Sequence, residues 1–122
     1  MNHTQLVMLQ QAAKFASIDY TKVNDGRGLL LPSANVDGGL LYWNPFENEF
    51  DSIDLMFKLI NYGTIIEIKN QSIWLAYPRL DKTHPVEIVY GPLTFAFDEE
   101  HTQEVIMAAF VHAASLIGKE MV

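Results

Sequence analysis

Histidines are the side chains in this sequence best suited to bind a metal or transfer protons, and there are four of them. His101 and His112 are eleven residues apart on one predicted helix, so they share a face but are separated by roughly 16 Å, at ~1.5 Å per residue. One metal ion cannot bind both within a chain, because metal–nitrogen bonds are only about 2 Å long. We expect His101 to act as a helix-capping partner and His112 as a core or interface residue. Both remain candidates for ligand contact.

Carboxylates cluster around position 50, and a cluster of oxygen ligands suits a hard cation such as Ca²⁺. The acids are Glu47, Glu49, Asp51 and Asp54. Their spacing matches no EF-hand loop, and the turn glycine of such a loop is missing. Two of the four have a simpler role at a helix start, where the helix dipole favours acids. No metal site is expected.

The segment PRLDKTHP contains the only concentration of positive charge, formed by Arg79, Lys82 and His84. In an acidic protein such a loop can still bind an anion, because the local potential depends on nearby groups. The alternative is a solvated hairpin loop.

The segment YWNPFENEFDS has two interpretations. As a site, Trp43 offers a stacking face and Asn44 a donor and an acceptor for a base edge. As a joint between strand and helix, Pro45 ends the strand, Phe46 and Phe50 fill the core, and Asp51 or Ser52 begins the helix. The two interpretations are compatible.

No catalytic motif is present. No Ser, Thr or Lys lies in a recognisable nucleophile motif, and the segments DGRG and DGG lack the lysine and the strand-to-helix context of a phosphate-binding loop. The chain has no cysteine, which excludes disulfides and thiolate metal sites. We therefore expect no enzyme activity and no cofactor.

Length and charge limit the possible classes further. The chain has 122 residues and a formal charge of −7, which predicts one domain over 1–122 and disfavours general nucleic-acid binding. No secretion signal and no apolar run near the roughly 18 residues of a membrane span is apparent. A cytoplasmic location, in a host bacterium if the protein is viral, is the expectation.

Apolar periodicity and turn residues predict an α+β fold, with an antiparallel sheet of about 4–6 strands and three helices. Helices are predicted over 4–17, capped by Thr4, and over 52–62 and 99–119. The second is expected to be mostly buried, with an Asp54–Lys58 pair on its polar face. Strands are predicted over 29–31, 40–43, 64–69, 72–77, 86–90 and 93–97, the last two divided by Gly91-Pro92.

The last predicted helix is apolar on nearly all sides. Met107, Val111 and Ala114 lie on the side where a solvent-exposed polar face is expected. Burial against a second copy would cover it, which predicts a homodimer or larger closed oligomer through residues 99–119. The alternative is a central helix flanked by the other two.

Three segments resemble a family of small phage and prophage accessory proteins: LVMLQQAAKFASI, YWNPFENEFDSIDLMFKLINYG and AAFVHAASLIGKEM. The shared layout is a Trp-Asn-Pro segment, an acidic turn, a Leu-rich helix and an Ala-rich final helix. The layout is also similar to that of anti-Thoeris proteins, phage sponges that sequester cyclic ADP-ribose signals without cleaving them. The resemblance implies an oligomeric α+β domain holding a nucleotide-like ligand between subunits. Phosphate-binding arginines expected in the final helix are missing here, and His112 occupies such a place.

The sequence therefore leads to a hypothesis of a phage anti-defence protein that binds a small cyclic nucleotide signal. The predicted ligand-binding residues are Trp43, Asn44, Arg79, Lys82, His84, His101 and His112. One alternative is an acidic inhibitor that binds a host protein by mimicking nucleic acid, which would require its carboxylates on one continuous face. The other is an accessory protein without a small-molecule ligand.

Overall fold

The computed structural model describes residues 1–32, 41–78 and 89–121. These residues form three helices and six strands, which confirms the predicted α+β class. The helices are α1 (His3–Ala16), α2 (Glu49–Tyr62) and α3 (Thr102–Glu120). The strands are β1 (Lys22–Asn24), β2 (Gly28–Leu30), β3 (Tyr42–Trp43), β4 (Ile65–Lys69), β5 (Ser72–Pro78) and β6 (Val89–Ala96).

All pairs of neighbouring strands are antiparallel, as predicted. The six strands are divided between two three-stranded sheets, ordered β1-β2-β3 and β4-β5-β6, whereas the sequence suggests one sheet. Asn70 and Gln71 link β4 to β5 with positive φ angles of 51° and 56°. Two consecutive left-handed residues form the tight turn that matches the twist of a hairpin.

The predicted division at Gly91-Pro92 is wrong, because β6 continues through it. The pairing of β6 with β5 is irregular between Leu75 and Tyr77, and β6 lies at the edge of its sheet in the described part of the chain. A proline is tolerated at an edge or a bulge, where no ladder hydrogen bond needs its missing N–H.

Polar side chains set the starts of α1 and α2, in both cases at a residue other than the predicted one. Asn2 rather than Thr4 caps α1, and it exchanges hydrogen bonds of 2.8 and 3.0 Å with Gln5. Asn48 caps α2 by accepting from the N–H of Asp51 at 3.1 Å. Helix α2 therefore begins three residues before the predicted Ser52. Asparagine is as good an N-cap as aspartate or serine.

Helices α1 and α3 lie side by side and run in the same direction, since Lys14 near the end of α1 donates to the carbonyl of Met121 just after α3. Their backbones meet at Gly118. A Cβ added there would lie 2.8 Å from the carbonyl carbon of Gln11 and 3.3 Å from the nitrogen of Phe15. Only glycine allows this approach.

The side of α3 that was expected to face solvent is buried inside the chain. Met107, Val111 and Ala114 are 6%, 0% and 0% exposed, because α1, α2, β5 and β6 all contact this helix. The arrangement matches the alternative of a central helix flanked by the other two, and it removes the reason for placing a subunit contact on residues 99–119. Self-association itself stays a prediction. Among the described residues, no helix is long and apolar enough to cross a membrane.

The expectation that α2 is mostly buried is wrong. Leu55 and Leu59 are fully buried, but the opposite side of the helix is also apolar and faces outward. Phe50, predicted to fill the core, is 84% exposed, whereas Phe46 does pack against the core. The predicted pair of Asp54 with Lys58 is present at 3.2 Å.

Candidate functional site

Asn44 holds the turn between β3 and α2 together. Its side-chain oxygen accepts from the N–H of Phe46 at 3.2 Å, and its amide nitrogen donates to the carbonyl of Arg27 at 3.3 Å. Its own N–H donates to the carboxylate of Asp51 at 2.9 Å. At 4% exposure, Asn44 has its donor and acceptor in use within the chain. The geometry therefore favours the joint interpretation of this residue.

Trp43 is a core residue, 3% exposed and paired with Leu29 across β2 and β3. Its ring has no open face for stacking on a base. The neighbouring Tyr42 is less buried, and the guanidinium of Arg27 lies 5.7 Å from the centre of its ring, within the range of a cation–π contact. A shallow cleft of about 300 Å³ is lined by Arg27, Tyr42 and Asn44 together with Gly26, Glu47 and Asn48.

His101 stands at the start of α3 and is bound to Asp98. Its Nδ1 lies 2.7 Å from the Asp98 carboxylate, which also accepts from the His101 N–H at 2.9 Å. This contact raises the pKa of His101 and lowers the pKa of Asp98. Both side chains are more than half exposed. His101 occupies the N-cap position of α3, but its side chain makes no capping hydrogen bond to the helix and is paired with Asp98 instead.

His112 lies farther along α3, with its ring 5.3 Å from the ring of Phe95 on β6. Burial lowers its pKa, so the neutral form is favoured at physiological pH. His112 is a packing residue in this structure, and it lies roughly 16 Å along α3 from His101 at ~1.5 Å per residue. The predicted anion-binding residues Arg79, Lys82 and His84 lie outside the described residues.

An acidic cleft lies where the chain enters all three helices. Its volume is about 730 Å³, and Glu47 before α2 and Glu100 and Glu104 at the start of α3 line it. Met1 and Gln5 from the start of α1 line it as well, and Phe46, Gln103, Val105, Met107 and Ala108 complete the lining. We call this feature the acidic cleft.

Glu49 does not line the acidic cleft, but it is hydrogen-bonded to Gln103, which does. Its Oε1 accepts from the amide of Gln103 at 2.6 Å, which ties the first turn of α2 to the first turn of α3. Acids near helix starts stabilise the positive end of the helix dipole, so these residues have a structural role regardless of any ligand. Their common location also makes this end of the molecule negative.

Asp51 and Asp54 do not line the cleft and are held in contacts within the chain. Asp51 is half buried and accepts from Asn44, and desolvation raises its pKa despite that hydrogen bond. Asp54 is paired with Lys58. The acids are therefore partly gathered at one end of the molecule and partly held in contacts inside the chain, whereas mimicry of nucleic acid would require them on one continuous face.

Comparison with protein-family models, curated proteins and solved structures finds no match to this chain. The geometry of the described residues must therefore carry any functional conclusion.

That geometry offers binding surfaces. Among the described residues, no group of three or more His, Asp or Glu side chains could hold a metal ion. His101 is hydrogen-bonded to Asp98, and the ring of His112 packs against Phe95. The acidic cleft combines separated carboxylates with apolar walls, which suits the stems and charged heads of lysine and arginine side chains.

Sequence reasoning missed the acidic cleft because its residues come from three separated segments. A signal was present, because acids cluster at two predicted helix starts. Glu47 and Glu49 stand near the start of one helix, and Glu100 and Glu104 near the start of another. The position of Arg27 over Tyr42 had no such signal, because it depends on the pairing of β2 with β3.

Proposed function

We propose that the protein is a non-catalytic binding protein that receives a positively charged segment of a partner protein in the acidic cleft. The observation that carries this proposal is the convergence of Glu47, Glu100 and Glu104 on one cleft of about 730 Å³. If the chain is a phage product, as its resemblance implies, the partner would be a host protein in the bacterial cytoplasm. This corresponds to the alternative of an acidic inhibitor.

The shape of the cleft favours basic side chains over a bare cation. Carboxylates at separated points of a large cleft do not surround a metal, which needs oxygens at about 2.0–2.6 Å. Phe46 and Met107 supply apolar wall area on which the aliphatic stem of a lysine or arginine can lie. Charge-assisted hydrogen bonds to the carboxylates would then fix the cationic head.

A labelled peptide rich in lysine and arginine tests the proposal by fluorescence anisotropy. We expect the double variant Glu100→Gln/Glu104→Gln to bind at least about tenfold more weakly, since two charge-assisted contacts of roughly 1 kcal/mol or more are removed. The control Asp19→Asn/Glu67→Gln changes net charge equally at exposed positions outside the cleft lining. Equal weakening by both variants would show only a general charge effect and reject the cleft.

A nucleotide sponge is a second candidate, supported by the cleft of Arg27 and Tyr42 beside Asn44. A guanidinium and a phenol ring can bind a phosphate and stack on a base. This version replaces buried Trp43 with Tyr42 as the stacking residue. The cleft is small and shallow, so it supports the sponge less strongly than the acidic cleft supports protein binding.

The sponge is tested by incubating the protein with candidate cyclic nucleotides and ADP-ribose cyclisation products. The protein is then heated and the released compounds are analysed by mass spectrometry. Recovery of intact ligand by the parent protein and by Lys22→Gln, but not by Arg27→Gln, would support sequestration at this cleft. An altered ligand would indicate an enzyme, and no retention would exclude the tested compounds as ligands.

A further inference from the structure

The exposed side of α2 bears four large apolar side chains in one line. Phe50, Ile53, Phe57 and Ile60 are 84%, 46%, 55% and 47% exposed. We call them the α2 stripe. Their intervals of three, four and three residues are the a and d spacing of a two-stranded helical pair. Their side of the helix is opposite the buried Ser52, Leu55 and Leu59.

We propose that the α2 stripe pairs with the α2 stripe of a second copy of this chain, with the two helices antiparallel. The proposal does not depend on the proposed function, because the stripe shares no residue with the acidic cleft. It also moves the predicted self-association from α3, whose surface the chain itself covers, to a helix with an uncovered apolar side.

Residue order along the stripe fits an antiparallel pair. The midpoint of the stripe lies between Ile53 and Phe57, so a two-fold axis there places Phe50 of each copy level with Ile60 of the other. Ile53 is then level with Phe57. Each layer combines one aromatic ring with one β-branched side chain, and the same patch serves both copies, as an isologous dimer requires.

Charge decides between antiparallel and parallel pairing. A parallel pair would bring both acidic clefts to one end of the dimer. It would also set Glu49 of each copy against Asp54 of the other, because these residues occupy the g and e positions that face each other in a parallel coiled coil. An antiparallel pair separates the two clefts by about the 21 Å length of a 14-residue helix. That distance exceeds the Debye length of about 8 Å at physiological salt. Asp54, near the two-fold axis, is already paired with Lys58.

The area available indicates a modest affinity. From their exposures, the four side chains offer on the order of 400 Å² per copy, or about 800 Å² in total, which is below the 1,200–2,000 Å² of standard stable interfaces. The structure therefore favours a reversible dimer that forms in the micromolar range or above, rather than an obligate one.

Sedimentation over a concentration series tests the dimer. We expect reversible monomer–dimer exchange in the parent protein and a loss of at least about tenfold in association for Phe50→Ser and Phe57→Ser. Phe50 is so exposed that its replacement leaves the fold intact, as circular dichroism should show. The control Ile68→Ser removes a side chain that is 49% exposed on β4, outside the stripe, and should leave association unchanged. A strict monomer, or a dimer equally sensitive to Ile68→Ser, overturns the proposal.

Cysteine cross-linking tests the direction of the helices. The described chain has no free cysteine and the sequence contains none, so each introduced thiol is unique. A mixture of Phe50→Cys and Ile60→Cys proteins should form the mixed disulfide in preference to either symmetric one. Dominant symmetric cross-links within Phe50→Cys alone would indicate parallel helices and refute the antiparallel assignment. Adducts with other proteins but no dimer would reject self-pairing while leaving the acidic cleft proposal untouched.

Discussion

Replacing Gly118 with alanine should destabilise the protein, although alanine is the better helix former. The new Cβ would overlap the carbonyl oxygen of Gln11, and it would lie 2.8 Å from the carbonyl carbon of Gln11 and 3.3 Å from the nitrogen of Phe15. All three contacts are with the backbone of α1, so no side-chain rotation can relieve them. Ordinary contacts begin near 3.4 Å. The carbonyl carbon alone would require α1 and α3 to move apart by about half an ångström, and the nearer carbonyl oxygen requires more.

Overpacking at the contact between α1 and α3 destabilises the variant, whereas the higher helix propensity of alanine stabilises it. Overpacking a close contact costs typically 1–3 kcal/mol, and backbone contacts on a rigid helix place this case near ~3 kcal/mol. The gain in helix propensity from glycine to alanine is about 1 kcal/mol. The expected net loss is about 2 kcal/mol in the free energy of unfolding, which corresponds to a melting temperature lower by roughly 5–10 °C in a chain of this size.

Urea denaturation followed by tryptophan fluorescence, together with calorimetry, measures this loss. The matched control is Gly26→Ala, whose Cβ would meet only the side-chain oxygen of Asn24 at 3.7 Å. We expect no loss there, and a gain of up to about 1 kcal/mol if the unfolded chain loses conformational freedom. A Gly118→Ala protein as stable as the parent would refute the close crossing of α1 and α3.

Three further outcomes are expected. Asn44→Ala removes both side-chain bonds of a buried residue and should lower the free energy of unfolding by about 1–3 kcal/mol; a change below about 0.5 kcal/mol would disprove the joint role. In an NMR titration, the midpoint for His101 should lie above the ordinary pKa of 6.5. Asp98→Asn should lower that midpoint, because the carboxylate is the main cause of the shift. An unchanged midpoint in the variant would contradict the pairing. His112 should titrate below 6.5, because burial disfavours its charged form. Its contribution to the free energy of unfolding should therefore rise with pH between its lowered pKa in the folded state and about 6.5, the pKa in the unfolded state. Titration of His112 at or above 6.5 would show that its ring is not desolvated.

Parts of the fold were predictable because their signals are local. The two-residue link at Asn70 and Gln71, the Asp54–Lys58 pair and the existence of all three helices follow from turn chemistry and from periods of 3.6 and 2 residues. Helix starts were less certain, because Asn48, Asp51 and Ser52 are all good caps. The side chain that meets a free N–H in the folded turn decides among them.

The candidate site was less predictable, and Trp43 shows the reason. A tryptophan before an Asn-Pro turn is equally consistent with a stacking platform and a core residue. The pairing of β3 with β2 and the packing of helices over the sheet left it 3% exposed. The acidic cleft likewise exists only because three helix starts from distant segments meet at one end.

Three features are already present in the amino-acid sequence: the negative charge, the apolar positions of α2 and α3, and Gly118, which permits α1 to approach α3. Which of the apolar positions meet water depends on how the elements pack. Helices α2 and α3 are both apolar on more than one side, so periodicity could not assign their buried faces. Because α1 covers α3 through the contact at Gly118, α3 is the enclosed helix. Helix α2 presents Phe50 and Phe57 outward because its other side, with Leu55 and Leu59, already fills the core.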